Sequence, residues 1–190
     1  MILENIKNFD WYNDPKNVRF IEEGLLIETA PQTDFWQNAD CGFFKDNGHF
    51  FSSEFEGDFI INAKWSFRTI KDSAQCGVMV RVDAENWIKV GLLSPNPYRP
   101  QIGTVVSNDG ASDWSAVEIP SETKELYFRI RRKGKDFIVS YSVDGEKFEQ
   151  IRMLHMRKVS SMMTAGAYCC SPKDESFECI LEEIDVKNPA

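Results

Sequence analysis

The sequence has few of the residues that build metal centres and disulfide frameworks. Its 190 residues include two histidines and five cysteines, and no two cysteines are spaced as Cys-x-x-Cys. This argues against a zinc site and against thioredoxin-like chemistry. We expect reduced, structural cysteines, with Cys76 and Cys179 acting as small hydrophobic residues in strands. His49 and His155 stand far apart in sequence, and we expect both at the surface.

The sequence also lacks long apolar runs and dense basic runs. No window approaches the ~20 apolar residues that a membrane-spanning helix needs. The net charge of −8 repels nucleic acid and anionic lipid. Residues 1–7 do not form a basic segment followed by an apolar stretch, as a signal peptide would. We therefore predict a cytoplasmic protein with no nucleic-acid partner and no membrane partner.

Catalytic motifs are absent as well. There is no Gly-x-Ser-x-Gly elbow, phosphate-binding glycine loop or His-Glu-x-x-His segment. Retaining glycosidases of the concanavalin type place three acids at alternate strand positions, but in Glu183-Ile184-Asp185-Val186-Lys187 the third position is lysine. A charged edge strand is the preferred interpretation of that segment. Asn108, Asp109 and Asp113 form at most a loose oxygen cluster, so we predict no metal, no cofactor and no catalytic residue.

Strand patterns, in contrast, are plentiful. The 14 Phe and 5 Trp favour β-structure, and short alternating runs are divided by Gly, Asp, Asn and Pro, as in antiparallel sandwiches. We predict one all-β domain over residues 1–190, with strands over residues 59–68, 76–82, 87–93, 126–131, 137–143, 165–170 and 177–186.

The connecting segments carry weaker signals. Asp144-Gly145 predicts a two-residue type I′ hairpin loop. Residues 151–160 show the one helical pattern, which is short and uncapped. Thr33-Asp34-Phe35-Trp36 and Ser112-Asp113-Trp114-Ser115 are expected to be turn-like. Each places an aspartate close to a tryptophan. Each is therefore either a sugar-binding loop or a turn capped by its aspartate, with the tryptophan packed as a plug at one end of the core. We favour the plug for Trp36 and Trp65, and both interpretations stay open for Asp113 and Trp114.

Six motifs are spread along nearly the whole chain. They are Thr33-Asp34-Phe35-Trp36, Gln75-Cys76-Gly77-Val78-Met79-Val80-Arg81, Asn86-Trp87-Ile88-Lys89-Val90-Gly91, Ser112-Asp113-Trp114-Ser115, Tyr141-Ser142-Val143-Asp144-Gly145 and Cys170-Ser171-Pro172. In order and spacing they resemble the domains of unknown function grouped with the regulation-of-enolase protein, in the concanavalin A-like lectin/glucanase superfamily. The resemblance implies a jelly-roll sandwich of two antiparallel sheets, one concave, and no settled reaction.

Two positions depart from that family's pattern. Relatives usually have an acidic residue before the glutamine that matches Gln75, and often another two positions after the glycine that matches Gly91. This chain has Ala74 and Leu93 there. If those carboxylates serve a ligand in relatives, the resemblance implies that the ligand was lost or changed here.

The strand alternation leaves a polar, basic and tryptophan-bearing set of residues opposite the core: Asn62, Lys64, Arg68, Gln75, Arg81, Trp87, Lys89, Arg129 and Arg131. If their strands form one sheet, the tryptophan can pack against a sugar ring while the polar groups reach hydroxyls or acidic groups. The alternative is an ordinary polar outer face with a chance basic bias. Arg152 matches a position that is often arginine in relatives, and would enter the concave face or pair with a loop carboxylate.

We predict a noncatalytic, lectin-like domain that binds carbohydrate on its concave sheet face. The basic bias favours an acidic or phosphorylated sugar. The expected ligand-binding residues are Gln75, Arg81, Trp87, Lys89, Asp113, Trp114, Arg129 and Arg152. Two alternatives stay open: a cytosolic regulatory domain that binds a protein partner, as the family's name implies, and a sugar-active hydrolase or isomerase. The sequence does not fix the oligomeric state.

Overall fold

The computed structural model describes residues 6–38, 42–96 and 98–188. Within these ranges the chain forms a short 3-10 helix, Ile6–Asn8, and sixteen strands. The strands are β1 (Asp10–Tyr12), β2 (Asn17–Phe20), β3 (Leu25–Glu28), β4 (Phe35–Gln37), β5 (Phe44–Asp46), β6 (His49–Glu56), β7 (Ile60–Ser66), β8 (Gln75–Asp83), β9 (Asn86–Leu93), β10 (Gln101–Asn108), β11 (Ala111–Glu118), β12 (Glu125–Lys133), β13 (Asp136–Ser142), β14 (Glu149–His155), β15 (Met162–Cys170) and β16 (Glu178–Lys187). None of the described helical residues forms a segment long and apolar enough to span a bilayer.

Two seven-stranded antiparallel sheets build the fold. The first sheet has the strand order β1-β6-β15-β8-β9-β10-β11, and the second has β14-β13-β12-β7-β16-β3-β2. The short hairpin of β4 and β5 forms a separate two-stranded sheet. The prediction of an all-β sandwich of two antiparallel sheets is confirmed.

The main core lies between the two sheets and follows the alternation seen in the sequence. In β7 the side chains of Ile61, Ala63 and Trp65 are buried, while those between them are half-buried. The facing strands contribute residues that include Val78 and Val90. The Trp65 indole N–H also donates a 3.1 Å hydrogen bond to the carbonyl oxygen of Gly77, on the other sheet. Trp65 is therefore a core residue, as expected.

The hypothesis that the basic and polar residues share the face of one sheet is wrong. β7 and β12 lie in the second sheet, whereas β8 and β9 lie in the first. The chain crosses between the sheets after β7, so outward-facing side chains of β7 and β8 point away from each other. Asn62 and Arg129 therefore lie on the opposite side of the sandwich from Gln75 and Lys89. Alternation reports which face a residue occupies, but not which sheet its strand joins.

Several local expectations are also corrected. Residues 151–160 contain the end of β14 rather than a helix, and the segment around Asp113 lies within β11 rather than in a turn. The glutamate-rich segment at Glu183 belongs to β16, an interior strand between β7 and β3, so it is not an edge strand. At the Asp144-Gly145 turn only the glycine has a positive φ, 77°. The Asp144 carboxylate instead accepts hydrogen bonds from the backbone N–H groups of Glu146 and Lys147, which makes a longer loop.

The four cysteines in the described ranges are buried and unpaired, and Cys41 lies outside those ranges. His49, expected at the surface, is buried instead, with 2% of its surface exposed. Its Nε2 accepts a 2.9 Å hydrogen bond from the backbone N–H of Ala30, and its Nδ1 contacts the carbonyl oxygen of Asn13 at 2.9 Å. These partners select the neutral ring with the proton on Nδ1. Burial lowers the pKa of His49.

This arrangement predicts a loss of stability in mild acid. A lowered folded-state pKa means that the unfolded chain binds the proton more readily, so the stabilisation is complete above the unfolded value of about 6.5 and is lost as the pH falls below it. We expect the urea midpoint of the native protein to fall from about pH 7.5 to about pH 5.5. His49→Gln, which keeps an acceptor, should show a smaller fall, and the exposed-site control His155→Gln should behave like the native protein. An unchanged pH slope in His49→Gln would contradict this assignment.

Candidate functional site

The β4–β5 hairpin covers part of the outer face of the first sheet. Phe35 of the hairpin and Trp87, Met79 and Tyr168 of the sheet are fully buried in a second hydrophobic cluster, separate from the main core. Half-buried Trp36 packs against the same cluster. The hairpin therefore packs on apolar side chains of this outer sheet face, which is not an open polar surface.

An ion pair anchors one end of the hairpin. Arg81 of β8 donates two hydrogen bonds to the Asp46 carboxylate, at 2.6 and 2.9 Å. The Tyr12 hydroxyl donates to the same carboxylate at 2.7 Å, and the Arg81 guanidinium lies 4.6 Å from the Tyr12 ring centre. Bidentate pairs of this kind combine charge with fixed geometry. Arg81 is thus engaged within the protein.

The Lys89 ammonium anchors the same end of the hairpin through β4, since Phe35 pairs directly with Asp46. Its side chain is 1% exposed, and Nζ donates to the Asp34 carboxylate at 3.1 Å, the Phe35 carbonyl at 2.8 Å and the Gln75 side-chain oxygen at 2.9 Å. An ammonium group has three N–H donors, so all three are used. Two of the acceptors come from the segment that starts the hairpin and one comes from the sheet. Lys89 therefore joins the hairpin to the sheet.

Asp34 carries the charge opposite Lys89. Its Oδ1 accepts hydrogen bonds from the Phe35 backbone N–H at 2.8 Å and the Gln75 side-chain amide at 3.3 Å, besides that from Lys89. The Cys170 thiol lies 3.7 Å from the same oxygen. Burial, together with the Asp34 charge, raises the pKa of the Cys170 thiol well above its usual range, so the thiol stays protonated and can donate. These bonds converge on Oδ1 and leave Oδ2 without a donor among the described residues.

A pocket of about 200 Å³ opens beside this group. The polar part of its lining comes from Asp34, Ser73, Gln75 and Lys89, and the apolar part from Trp36, Leu93, Pro95, Trp114 and Pro172. Trp114 is 48% exposed, which is unusual for so large an apolar side chain. A few convergent polar groups in an apolar cavity are typical of small-ligand sites. We name this cavity the Asp34 pocket.

The predicted ligand-binding residues divide into three groups. Gln75, Lys89 and Trp114 line the Asp34 pocket. Arg81 and Trp87 share the same sheet face, but the first pairs with Asp46 and the second is fully buried beneath the hairpin, with its indole N–H bonded to the carbonyl of Ala84 at 3.1 Å.

The remaining three residues lie elsewhere. Asp113 is on the opposite face of β11 from Trp114, and Arg152 of β14 donates to it at 2.5 Å, bridging the edges of the two sheets. Both line a separate surface cavity. Arg129 lies on the outer face of the second sheet, where its guanidinium stacks 3.6 Å from the Phe148 ring centre and donates to Asn62 at 2.6 Å.

Asp34 and Trp36 line the pocket although the sequence placed neither among the expected ligand residues. The signal that pointed to them was the pairing of a carboxylate and an indole in Thr33-Asp34-Phe35-Trp36. Ser73, Pro95 and Pro172 had no such signal, because they lie in loops that only the folded chain brings together. Within the described residues, no three His, Cys, Asp or Glu side chains are grouped closely enough to hold a metal ion.

The fold and site define a two-sheet β-sandwich with a hairpin-covered pocket on one outer face. The chain belongs to the family described as proteins of unknown function (DUF1349), whose family model matches residues 11–189. The resemblance drawn from the six sequence motifs is thereby confirmed.

Individual known proteins also resemble this chain in sequence and in structure. "Regulation of enolase protein 1" of Saccharomyces cerevisiae (strain ATCC 204508 / S288c) is 28% identical over 182 residues, covering 94% of this chain and 89% of the relative. A crystal structure of a functionally unknown protein from Saccharomyces cerevisiae has a TM-score of 0.90 at 24% identity, covering 97% of this chain and 98% of that one. The GH43 BlXynB protein from Bacillus licheniformis has a TM-score of 0.71 at 15% identity, over 96% of this chain and 39% of that chain. At such identities the structural matches show the fold and not the activity.

The bonding around Lys89 predicts a large cost for removing its charge. In Lys89→Met, the partly buried Asp34 carboxylate and two carbonyl-type acceptors lose their donor, so we expect a loss of about 3 kcal/mol in unfolding free energy, measured in urea. Lys187→Met removes an exposed lysine paired with Asp185 and should cost less than about 0.5 kcal/mol. Asp34→Asn should reduce the added cost of Lys89→Met. Additive losses in that double variant would contradict the direct pairing.

Proposed function

We propose that this protein binds a neutral carbohydrate, without catalysis, in the Asp34 pocket. The observation that carries the proposal is the combination of two tryptophans with a carboxylate oxygen and a glutamine amide in one small cavity. Indole faces pack against the C–H faces of sugar rings, while carboxylate and amide groups bind hydroxyls. The lectin-like function predicted from the sequence is thus retained, with a smaller set of residues.

The charges favour a neutral ligand over the acidic or phosphorylated sugar expected from the sequence. Arg81 and Lys89 are both consumed by hydrogen bonds inside the protein. Among the charged groups of the described lining, Asp34 keeps one oxygen, Oδ2, without a donor, and this oxygen attracts hydroxyl donors and repels an anion. A charged acceptor strengthens each hydroxyl bond it receives. A neutral polyhydroxyl ligand therefore complements the pocket best.

The same lining favours binding over hydrolysis. Glycosidases place two carboxyl groups on either side of the scissile bond, separated by about 5–9.5 Å. Among the described residues that line the Asp34 pocket, Asp34 is the one carboxylate. Its Oδ1 is committed to Lys89, Gln75 and a backbone N–H, which suits a fixed acceptor better than a proton carrier.

A protein partner is the second candidate. It is favoured by the name of the yeast relative, "Regulation of enolase protein 1", and by the exposed rings of Phe43 and Phe44 at the turn of the hairpin. Exposed aromatic residues are enriched at protein interfaces. A cytoplasmic location goes with this proposal, because buried unpaired cysteines suit a reducing compartment.

The first test is a glycan array that holds neutral, uronic and phosphorylated sugars, followed by tryptophan fluorescence titration of each hit. We expect neutral sugars to bind and to perturb indole emission. Trp114→Ala should weaken binding by about tenfold or more, equivalent to about 1.4 kcal/mol, with little change in melting temperature because the side chain is half exposed.

Phe20→Ala is the matched control, since it removes an aromatic ring that is 65% exposed on β2 of the other sheet. It should bind as the native protein does. An array with no hits, or binding that Trp114→Ala leaves unchanged, would reject the Asp34 pocket as a carbohydrate site. Hits confined to uronic or phosphorylated sugars would reject the neutral ligand.

A further inference from the structure

The two seven-stranded sheets, in the part of the chain that the structure describes, have four outer edges, and these edges differ in how well they are protected. Unpaired backbone groups along an edge strand invite pairing with another strand, so proteins shorten, bulge or charge such strands. β1 and β2 have only three and four residues. β14 has a bulge, because its pairing register with β13 shifts between Arg152 and Gln150. β11, the fourth edge, is neither short nor bulged.

β11 is a long, regular and exposed edge strand. Its eight residues pair with β10 without a register shift, and seven of them are exposed. The strand contains no lysine and no proline. Its two carboxylates are already ion-paired within the chain, Asp113 with Arg152 and Glu118 with Arg99. The edge is therefore close to neutral, although the whole chain has a net charge of −8.

The backbone hydrogen bonds of β11 alternate between β10 and the open edge. The Ile119 N–H continues the register of β11 and donates to the carbonyl oxygen of Pro100 at 3.0 Å. Residues two, four and six positions before Ile119 therefore also bond to β10. The residues between them direct their N–H and C=O groups to the open edge: Ser112, Trp114, Ala116 and Glu118.

The Trp114 ring does not cover this edge. Its indole nitrogen lies 3.1 Å from the place that a Cβ on Gly103 would occupy, so the ring leans back over β10. The backbone of β11 beside it is therefore open to a further strand.

A second copy of β11 fits this edge in an antiparallel register. When Ser115 faces Ser115 of the second copy, the other opposed pairs are Trp114 with Ala116, Asp113 with Val117 and Ser112 with Glu118. No like charges and no two large rings face each other directly in this register. The outward backbone groups of both strands pair along the whole overlap. The same strand thus supplies both halves of the contact, as a two-fold symmetric interface requires.

From these observations we infer that β11 is a dimerisation edge whose partner is a second copy of this chain. The first sheets of the two copies join into one continuous sheet, about a two-fold axis that passes between the two Ser115 residues. Since this axis is perpendicular to the sheet, the outer faces of both copies lie on the same side. The two Asp34 pockets then open on one common face, with Trp114 of each pocket near the interface. This dimer does not depend on the proposed carbohydrate function.

The first measurement is sedimentation velocity of the native chain, at concentrations from about 1 to 500 µM. One pair of edge strands buries less than the standard interface of about 1,200–2,000 Å², so we expect a reversible dimer with a dissociation constant of about 1–100 µM. Both copies are acidic, so the dimer should be tighter in about 0.5 M salt than in about 0.05 M salt. A monomer at every concentration in both salts would overturn the inference, and would leave a strand of another protein as the occupant.

A proline variant tests the edge itself. Ala116→Pro removes an N–H group that points to the open edge, so the bonds to β10 stay intact. We expect a dimer at least about tenfold weaker, at nearly unchanged melting temperature. Phe20→Pro is the matched control on β2 at the opposite edge, because Ile21 donates to Gly24 and the Phe20 N–H therefore also points outward. It should dimerise as the native chain does. Native dimer strength in a folded Ala116→Pro protein would reject β11 as the interface.

A cysteine variant tests the register, and it does so independently of the proline variant. In the inferred pairing Ser115 forms a non-hydrogen-bonded pair with its copy, with Cα atoms about 4.5 Å apart, which is within disulfide range. We expect Ser115→Cys to form a covalent dimer with oxidised glutathione, seen on a non-reducing gel. Ala116→Cys places its two thiols on a diagonal of about 7–8 Å, so it should stay at the background of the native chain. Equal cross-linking of the two variants, or none in either, would overturn the register.

Discussion

The ammonium group of Lys89 is the interaction on which the site depends. It is buried beneath the hairpin, and burying a charge without partners costs far more than any single contact returns. The chain meets this requirement by bringing Asp34, the Phe35 carbonyl and Gln75 to the three N–H donors. Meeting it also positions the hairpin, because two of those acceptors lie where the hairpin begins. One electrostatic constraint thus determines where the hairpin lies and which carboxylate oxygen faces the pocket.

The alternation of apolar and polar residues was enough to predict most of the fold. In β7, β8 and β9 most of the residues expected to face the core, among them Ile61, Val78 and Val90, are fully buried, and Val82 at the end of β8 is partly buried. The short edge strands were harder, because β1 and β4 have three residues each and show no period that alternation can reveal. β14 was harder for another reason, since none of its residues is fully buried and Met153 is 64% exposed, so the strand lacks a continuous apolar face.

The site was predictable only in part. Gln75 and Lys89 were identified because their strands alternate clearly, whereas Trp114 was identified because it follows a carboxylate in a segment that was expected to be turn-like. The error at Arg129 arose because strand periodicity does not say which sheet a strand joins. Trp87 was misjudged for a different reason: its face of the sheet does point outward, but the hairpin buries it. That contact joins residues about fifty positions apart and depends on ion pairs that no local pattern encodes.

The presence of two separate hydrophobic clusters has a consequence for how the molecule opens. The main core lies between the sheets, whereas the second cluster lies between one sheet and the hairpin. Regions with separate apolar contacts behave as distinct cooperative units in native-state hydrogen exchange. We therefore expect the hairpin to open while both sheets stay intact, which would remove the pocket from a molecule that is still folded. A ligand in the pocket would bind only the closed form, so it would slow amide exchange in the hairpin and raise the stability of the whole fold by the same free energy.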